Sequence, residues 1–341
     1  MMQHGKFVIS IDFELMWGVR DKLTIQQYGE NIKGVHTALP RMLQLFDQYK
    51  IKGTFAIVGL LFFNSKNEIL KSIPQKLPGY INKNLSPFNG YFNSVGEDEQ
   101  SDPYHFGKYL IDEIRKTPGQ EIGTHTFSHY YCLEKGQTAE EFKADILYAQ
   151  KVAEDKYGLK ITSLVFPRNQ FNNEYLNVCK DLGIICFRGN EHSWIYEARN
   201  TEEESLFRRA IRIADTYINL SGKNCYSDEF LKRSFPVDIP ASRFLRPYTN
   251  SLRFLDGLKL NRLKSDMNYA AQKNMTYHLW WHPHNFGVNQ NENFDLLEKV
   301  LLHFRELNKQ YNFQSYTMSE LANAVLNNEY RTNTSFGDKT S

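Results

Sequence analysis

Short apolar stretches alternate with longer amphipathic stretches along most of the 341-residue chain. Runs of apolar and β-branched residues predict buried strands, and they fall at residues 6–12, 53–58, 121–125, 162–166, 183–187 and 276–281. Apolar residues at helical spacing predict helices, at residues 35–49, 138–157, 294–308 and 317–327. Strands that alternate with helices favour right-handed βαβ units, and hence an α/β fold with a parallel sheet or barrel.

Two stretches interrupt this alternation. Residues 64–104 are rich in Asn, Ser, Gly and Pro, and residues 196–245 are irregular apart from the basic segment FRRAIRIA. We interpret both as surface insertions, because long irregular stretches inside compact domains are usually excursions from the scaffold. The expected organisation is a single domain over residues 1–327 with these two insertions, followed by a flexible polar tail at residues 328–341.

Composition excludes several classes of protein. Lys and Arg number 41 and Asp and Glu number 39, for a formal net charge of +2, so nucleic-acid binding is not expected. The four cysteines form no CxxC pair, which argues against a zinc ribbon or a disulfide scaffold. The N-terminal residues lack the pattern of a secretory signal, and no apolar run is long enough to span a membrane. We therefore expect a cytoplasmic protein without a membrane span, whose oligomeric state the sequence does not indicate.

Residues capable of chemistry follow four of the predicted strands, at the strand ends where parallel α/β folds bind their ligands. In chain order they are Asp12 and Glu14, His125 and His129, Arg168, and finally His282 and His284. Asp12 and Glu14 are two apart, so both carboxylates point to the same side of an extended chain. His125 and His129 are four apart, so they come together if the chain between them coils.

This set of residue types suits metal-assisted hydrolysis. Two neutral imidazoles and one carboxylate fit a divalent ion of the zinc type and leave positions for water and substrate, although cobalt and nickel accept the same ligands. A second carboxylate can act as a base, and an arginine can keep that base ionised. The DxE and HxxxH spacings are weak signals when taken singly. Their order along successive strands is what predicts a site.

In this order, the motifs resemble those of the polysaccharide deacetylases, the NodB-homology family of carbohydrate esterases that includes family 4. The similar segments are ISIDFE, THTFSH, FPRNQ and LWWHPHNF, and the resemblance covers residues 6–170 and 275–290. It implies a distorted (β/α) barrel, often with seven strands. It also implies metal-dependent removal of an acetyl group from an N-acetylated sugar or oligosaccharide.

The resemblance assigns roles by position. Asp12 would be the general base, Arg168 would orient it, and His282 would be the general acid that protonates the leaving amine. A divalent metal, zinc in the first place with cobalt or nickel as alternatives, would be held by three residues: Glu14, His125 and His129.

The chain departs from the family pattern at the acidic and histidine motifs. Phe13 separates the two acids that the family usually places side by side, so the roles of Asp12 and Glu14 could be exchanged. The last motif contains two histidines, and His284 competes with His282 for the role of the acid.

The arginine motif departs as well. The family pattern reads Arg-x-Pro-Tyr, whereas residues 167–169 read Pro-Arg-Asn, which leaves the backbone donor for the oxyanion unassigned. Residues 246–248 read Arg-Pro-Tyr, but they come too late to follow the fourth strand, and we expect them to be structural.

Two other functions stay open at this level. Relatives of this fold open cyclic amides or ureides, as allantoinases and imidases do, and the absence of a signal peptide favours such a substrate or a nucleotide- or lipid-linked sugar precursor. The altered first and third motifs are also compatible with a non-catalytic carbohydrate-binding protein.

Overall fold

The computed structural model describes residues 2–200 and 202–334. Within these residues the chain forms nine strands: β1 (Lys6–Phe13), β2 (Gly53–Ile57), β3 (Glu121–Thr124), β4 (Ser163–Val165), β5 (Cys186–Arg188), β6 (Val237–Asp238), β7 (Arg243–Phe244), β8 (Thr276–Trp281) and β9 (Gln314–Tyr316). The same residues form eleven helices: α1 (Ile25–Lys33), α2 (Val35–Tyr49), α3 (Lys66–Lys71), α4 (Lys108–Lys116), α5 (Ala139–Tyr157), α6 (Asn173–Asp181), α7 (Leu206–Asp215), α8 (Asp228–Leu231), α9 (Asp256–Gln272), α10 (Gln290–Tyr311) and α11 (Met318–Thr334).

One sheet contains all these strands, in the order β6-β5-β4-β3-β2-β1-β8-β7, with β9 paired to β1. Every paired neighbour runs parallel. All eight residues of β1 are buried, as expected for a central strand that is covered on both faces. The carboxyl ends of the strands therefore meet at one edge of the sheet.

The sheet curls until its two edges meet. β6 and β7 lie at opposite ends of the strand order, yet only residues 239–242 separate them in the chain. The backbone N–H of Ala241 donates to the carbonyl of Gly189 beside β5, and that of Ser242 donates to the carbonyl of His278 in β8. This connection brings the two edges together and makes a distorted (β/α) barrel, as predicted.

The strand count is higher than the predicted seven. Eight strands follow one another in the sheet and β9 adds a further pairing to β1. The strands that the sequence did not indicate are β6, β7 and β9, which have two, two and three residues. Such short strands cannot show a hydrophobic period, and β6 and β7 lie inside the stretch 196–245 that was interpreted as an irregular insertion.

The other predicted elements are confirmed, with small shifts at their ends. Helix α2 has the predicted bounds, and α5 begins after Thr138, whose side chain accepts a hydrogen bond from the backbone N–H of Glu141. The predicted strand at 183–187 begins only at Cys186, because Gly183 takes a left-handed φ of 75°. Helix α11 extends into the predicted tail as far as Thr334, and the tail beyond it lies outside the described residues.

Inside the barrel, a strip of polar side chains joins β1, β5 and β8. Ser10, Arg188 and His278 are buried there. The Ser10 hydroxyl oxygen lies 3.0 Å from an Arg188 nitrogen and 2.8 Å from His278 Nε2. This polar strip ends at Asp12, near the carboxyl end of β1. Among the helices of the described residues, none is long and apolar enough to cross a bilayer.

Candidate active site

The carboxyl ends of β1, β3 and β8 bring two acids and four histidines together. We call Glu14 and the four histidines around it the Glu14 cluster; its members are Glu14, His125, His129, His282 and His284. Asp12 lies beside it, 3.7 Å from His282 Nε2. The structure therefore brings every residue that the sequence predicted for this site to one cavity, although Arg168 there pairs with Asp21 and Glu134.

Glu14 is the centre of the cluster. Its Oε2 lies 3.0 Å from His129 Nε2 and 3.3 Å from His125 Nε2, and its Oε1 lies 3.1 Å from His284 Nε2. Burial, the largest influence, would raise the pKa of Glu14, but the surrounding histidines together hold it well below the usual value. Glu14 is therefore a carboxylate, 3% exposed, that offers both oxygens to its neighbours.

A glycine makes room for this carboxylate. A Cβ built on Gly18 would lie 2.0 Å from Glu14 Cδ. Gly18 ends the 3₁₀ turn that follows β1, and any larger residue there would displace the carboxyl group. This role could not be predicted from the sequence, because nothing in the local pattern shows which side chain folds back over the glycine.

A tight turn after β3 brings the first two histidines together. His129 has a left-handed φ of 60°, and the ring centres of His125 and His129 lie 4.9 Å apart. Asp145 of α5 stabilises the turn, since its Oδ1 accepts a 2.6 Å hydrogen bond from the backbone N–H of Phe127. The coil between the two histidines that the sequence analysis required is therefore present, and a buried carboxylate supports it.

The Nδ1 atoms of His125 and His129, which lie on the side of each ring away from Glu14, are hydrogen-bond donors. His125 Nδ1 lies 2.8 Å from the Val165 carbonyl oxygen, which can only accept. His129 Nδ1 lies 3.0 Å from the Tyr131 hydroxyl, which itself donates to Asp21. When neutral, each ring therefore turns the lone pair of its Nε2 towards Glu14.

A nitrogen lone pair and a carboxylate repel each other unless a cation lies between them. Whether a metal fits the site therefore depends on whether these rings are neutral and close enough to share one ion. Burial lowers the pKa of His129 to about 4, which favours the neutral ring. The ligand atoms of Glu14, His125 and His129 all lie within 4.8 Å of one another. Histidines that bind metal typically donate their other N–H to a carbonyl or a polar side chain, as these two do. The residues present therefore fit a divalent cation.

The last two histidines follow β8 and have different surroundings. His284 is buried, with Nδ1 2.9 Å from the Tyr28 hydroxyl. His282 Nδ1 contacts Asn285 Oδ1 at 3.3 Å, and its Nε2 lies 3.7 Å from both Asp12 and Glu14. The set Glu14, His282 and His284 also meets the 4.8 Å condition for a metal. Of the two rings, His282 is the more accessible, with 22% of its side chain exposed.

The arginine that contacts Asp12 is Arg188, which the sequence analysis missed. Its two terminal nitrogens lie 2.7 and 2.8 Å from the two carboxylate oxygens of Asp12. Burial would raise the pKa of Asp12, but Arg188, with His125 and His282, lowers it overall. Arg188 ends β5, so the strand-end rule could have found it. The sequence alone could not show that the curl of the sheet brings β5 opposite β1.

Arg168, predicted for that role, pairs elsewhere. It lies in a 3₁₀ turn after β4 with a left-handed φ of 54°, and its guanidinium pairs with Asp21 and Glu134. The same guanidinium lies 4.0 Å from the centre of the Tyr131 ring. Arg168 therefore contributes to the wall of the site, where it contacts Tyr131, a hydrogen-bond partner of His129, and Asp21, the acceptor of the Tyr131 hydroxyl.

These side chains line an open cavity of about 320 Å³ at the carboxyl ends of the strands. The fold and site together define a distorted (β/α)-barrel protein with a carboxylate–histidine centre. A family model described as polysaccharide deacetylase matches residues 28–187. The predicted resemblance to the NodB-like polysaccharide deacetylases is thereby confirmed.

Solved structures share the fold. A Mycobacterium smegmatis protein assigned as a polysaccharide deacetylase superposes with a TM-score of 0.59 and 12% identity, covering 96% of this chain and 92% of its own. A Pseudomonas aeruginosa PAO1 protein with the same assignment gives 0.52 and 9%, covering 93% and 89%. Puue allantoinase gives 0.51 and 10%, with the same coverage. Such identities show the fold alone. A comparison with curated proteins gives no match.

Proposed function

We propose that the protein is a metal-dependent hydrolase that removes the acetyl group from an N-acetylated sugar or oligosaccharide. The observation that carries the proposal is the orientation of His125 and His129, whose Nδ1 atoms are fixed as donors. Their Nε2 atoms face the Glu14 carboxylate at 3.3 and 3.0 Å. Three potential ligand atoms that lie within 4.8 Å of one another are the arrangement expected of a metal site.

Glu14, His125 and His129 are the proposed metal ligands. A divalent ion held there would supply Lewis-acid activation of water and of the acetyl carbonyl. Zinc suits two imidazoles and a carboxylate, and cobalt or nickel suits them too. Tyr131 and the Val165 carbonyl orient the two rings, a task on which metal affinity commonly depends.

Asp12 is the proposed general base and His282 the proposed general acid. Oδ2 of Asp12 would accept a proton from the attacking water, while Arg188 keeps this carboxylate ionised and fixed in place. His282 Nε2 lies on the open side of the site between the two carboxylates, where it would donate a proton to the leaving amine. Arg188 thus takes the positioning role that the sequence analysis gave to Arg168.

The test measures bound metal and acetate release in the same preparations. Wild-type protein loaded with zinc, cobalt or nickel is expected to bind about one ion and to release acetate from N-acetylglucosamine oligomers. His125→Ala is expected to lose both. His303→Ala is the matched control, because His303 lies on α10 and contacts Asn268 and Glu306. A wild-type protein that binds none of the three metals would overturn the proposal.

The substrate alternatives are decided by the same assay. Because the fold is shared with an allantoinase, allantoin serves as the competing substrate. Faster turnover of allantoin than of the acetylated sugars would assign the site to cyclic ureides. Binding of the oligomers without turnover, unchanged in Asp12→Asn, would instead indicate a carbohydrate-binding protein.

A further inference from the structure

A second cavity of about 280 Å³ adjoins the active-site cavity. Four residues line both cavities: Arg168, Asn169, Phe244 and Trp280. We call the second cavity the arginine annex, after its seven cationic lining residues, which are Arg168, Arg199, Arg212, Arg243, Arg246, Lys259 and Arg262. Three carboxylates also line it: Glu191, Glu197 and Glu204. A substrate held at Glu14 therefore has a cation-rich space within reach.

Most of these cations are already paired with protein carboxylates. Arg212 pairs with Glu204 through two hydrogen bonds, and Lys259 pairs with Asp256 at 2.8 Å. The remaining pairs also involve carboxylates, and they are Arg168 with Asp21 and Glu134, Arg199 with Glu197, Arg243 with Asp215 and Asp266, and Arg262 with Asp266. Their charges are largely compensated, so these residues do not themselves require a ligand.

Arg246 is different. Its Nε donates to the Thr216 hydroxyl at 3.1 Å, and within the described residues it forms no ion pair. Burial has the largest influence on its pKa, which is lowered, and Arg212 lowers it further. An arginine stays charged under these conditions. A half-buried guanidinium without a carboxylate is costly to maintain, and an anionic ligand would compensate it.

Arg246 also lies close enough to act on the same substrate as the Glu14 cluster. Its guanidinium carbon lies 5.6 Å from the centre of the Phe244 ring, and that ring centre lies 6.1 Å from the His282 ring centre. The guanidinium and the proposed acid are therefore separated by no more than the sum of these distances. The Phe244 ring lines both cavities, where an aromatic face can support a sugar.

We propose that the arginine annex binds a phosphate ester carried by the substrate, with Arg246 as its principal contact. This inference rests on the proposed function for the position of the acetamido group, and it names the substrate class: an N-acetyl sugar linked to phosphate or diphosphate. Guanidinium groups match phosphate oxygens through paired hydrogen bonds. Residues 246–248, expected from the sequence to be structural, thereby gain a role in recognition.

Binding is measured by calorimetry on the full chain in an Asp12→Asn background, so that turnover does not interfere. The probes are inorganic diphosphate, UDP-N-acetylglucosamine, a short-chain polyprenyl-diphosphate N-acetylglucosamine and the unphosphorylated sugar. At least one phosphorylated probe is expected to bind more tightly than the unphosphorylated sugar. Arg246→Gln is expected to weaken that binding about 10- to 100-fold, the range for hydrogen bonds to a charged group, and Arg246→Lys less.

The matched control is Arg253→Gln, at an exposed arginine in the turn Asn250–Leu255 that does not line the annex. It is expected to bind as the parent protein does. Which phosphorylated probe binds distinguishes a nucleotide-linked from a lipid-linked source. Equal binding of phosphorylated and plain sugars, or a folded Arg246→Gln with unchanged binding, would overturn the inference.

Turnover separates this inference from the proposed function. With Asp12 restored, Arg246→Gln is expected to raise KM for the phosphorylated sugar by a larger factor than it raises KM for neutral N-acetylglucosamine oligomers. Phosphate binding that depends on Arg246 without acetate release from any substrate would reject the hydrolase but keep the annex. Acetate release that is the same in wild type and Arg246→Gln, for phosphorylated and neutral sugars alike, would keep the hydrolase but reject the annex.

Discussion

Two buried groups of charged residues differ in how their charges are balanced. In the first group, Arg243 of β7 pairs with Asp215 of α7 and with Asp266 of α9, the latter at 3.0 Å. Arg262 completes it with a 2.7 Å pair to Asp266. In the Glu14 cluster, by contrast, the ion pairs of the carboxylate among the described residues are with imidazole nitrogens alone. The first group balances its charges within the protein, whereas the second is a set of potential metal ligands.

The difference separates a structural role from a reactive one. The Arg243 group ties α7 and α9 to the last strand of the sheet, and all its members except the Arg262 side chain, which is 5% exposed, are less than 5% exposed. The charges of this group compensate one another. The Glu14 cluster lines an open cavity, and its Nε2 atoms and carboxylate oxygens are potential ligands for a metal. A buried charged residue is thus a candidate for chemistry when its partners do not satisfy it.

The largest effect is expected at the boundary of the Glu14 cluster. Asp12→Asn keeps the shape of the side chain but removes the proposed base, so kcat/KM for acetate release is expected to fall about 10²- to 10⁴-fold, the usual contribution of a general base. Metal content is expected to stay as in wild type, because Asp12 is not a proposed ligand. Asp47→Asn, at an exposed position of α2, is the control. Loss of the metal together with activity would make Asp12 a ligand and not the base.

Removing a charge from the Arg243 group is expected to lower the stability of the fold. Arg243→Met leaves Asp215 and Asp266 with less compensation, so the free energy of unfolding is expected to fall by about 3–5 kcal/mol, as when one partner of a buried ion pair is removed. Urea denaturation measures this, with Arg253→Met as an exposed control. A folded Arg243→Met with wild-type stability would mean that this group is not the structural anchor described above.

The sequence predicted the parts of the site that depend on local rules. Asp12, Glu14, His125, His129 and His282 follow strands, and strand ends meet wherever parallel strands form one sheet. The spacing within each motif then predicted which side chains point to the same side of the strand or turn. None of this required the positions of distant strands to be known in detail.

The parts that the sequence did not predict depend on closure of the sheet. Arg188 meets Asp12 only because β5 and β1 face each other across the curled barrel. Strands β6 and β7 have two residues each, too few for a pattern, and their partners determine them. Gly18 likewise owes its role to the side chain of Glu14, which folds back over it.

A smaller effect is expected at Gly18. Gly18→Ala places a Cβ 2.0 Å from Glu14 Cδ and is expected to cost about 1–3 kcal/mol, the usual range for overpacking. Because the carboxylate must move, metal affinity is expected to fall as well. Gly257→Ala is the matched control, since nothing lies within 4 Å of a Cβ there. Equal metal affinity in the two variants would show that Glu14 tolerates displacement.

Asp145 is a third kind of buried carboxylate, and its pKa predicts how the stability of the protein changes with pH. Burial raises the pKa of Asp145 from 3.8 to about 6, although hydrogen bonds from Ser128 and Phe127 oppose the change. Since the folded protein holds this proton more tightly than the unfolded chain, the contribution of Asp145 to stability is complete below pH 3.8 and is lost as the pH rises through about 6.

Asp145→Asn removes this titration, so the free energy of unfolding is expected to decline less between pH 4 and pH 7 in the variant than in wild type. Urea denaturation at a series of pH values measures the difference, and groups that titrate equally in both proteins cancel. Asp155→Asn, at an exposed position of the same helix, is expected to run parallel to wild type. Parallel curves for Asp145→Asn would mean that the hydrogen bonds to the turn outweigh burial, so that Asp145 is as well satisfied as the carboxylates paired with Arg243.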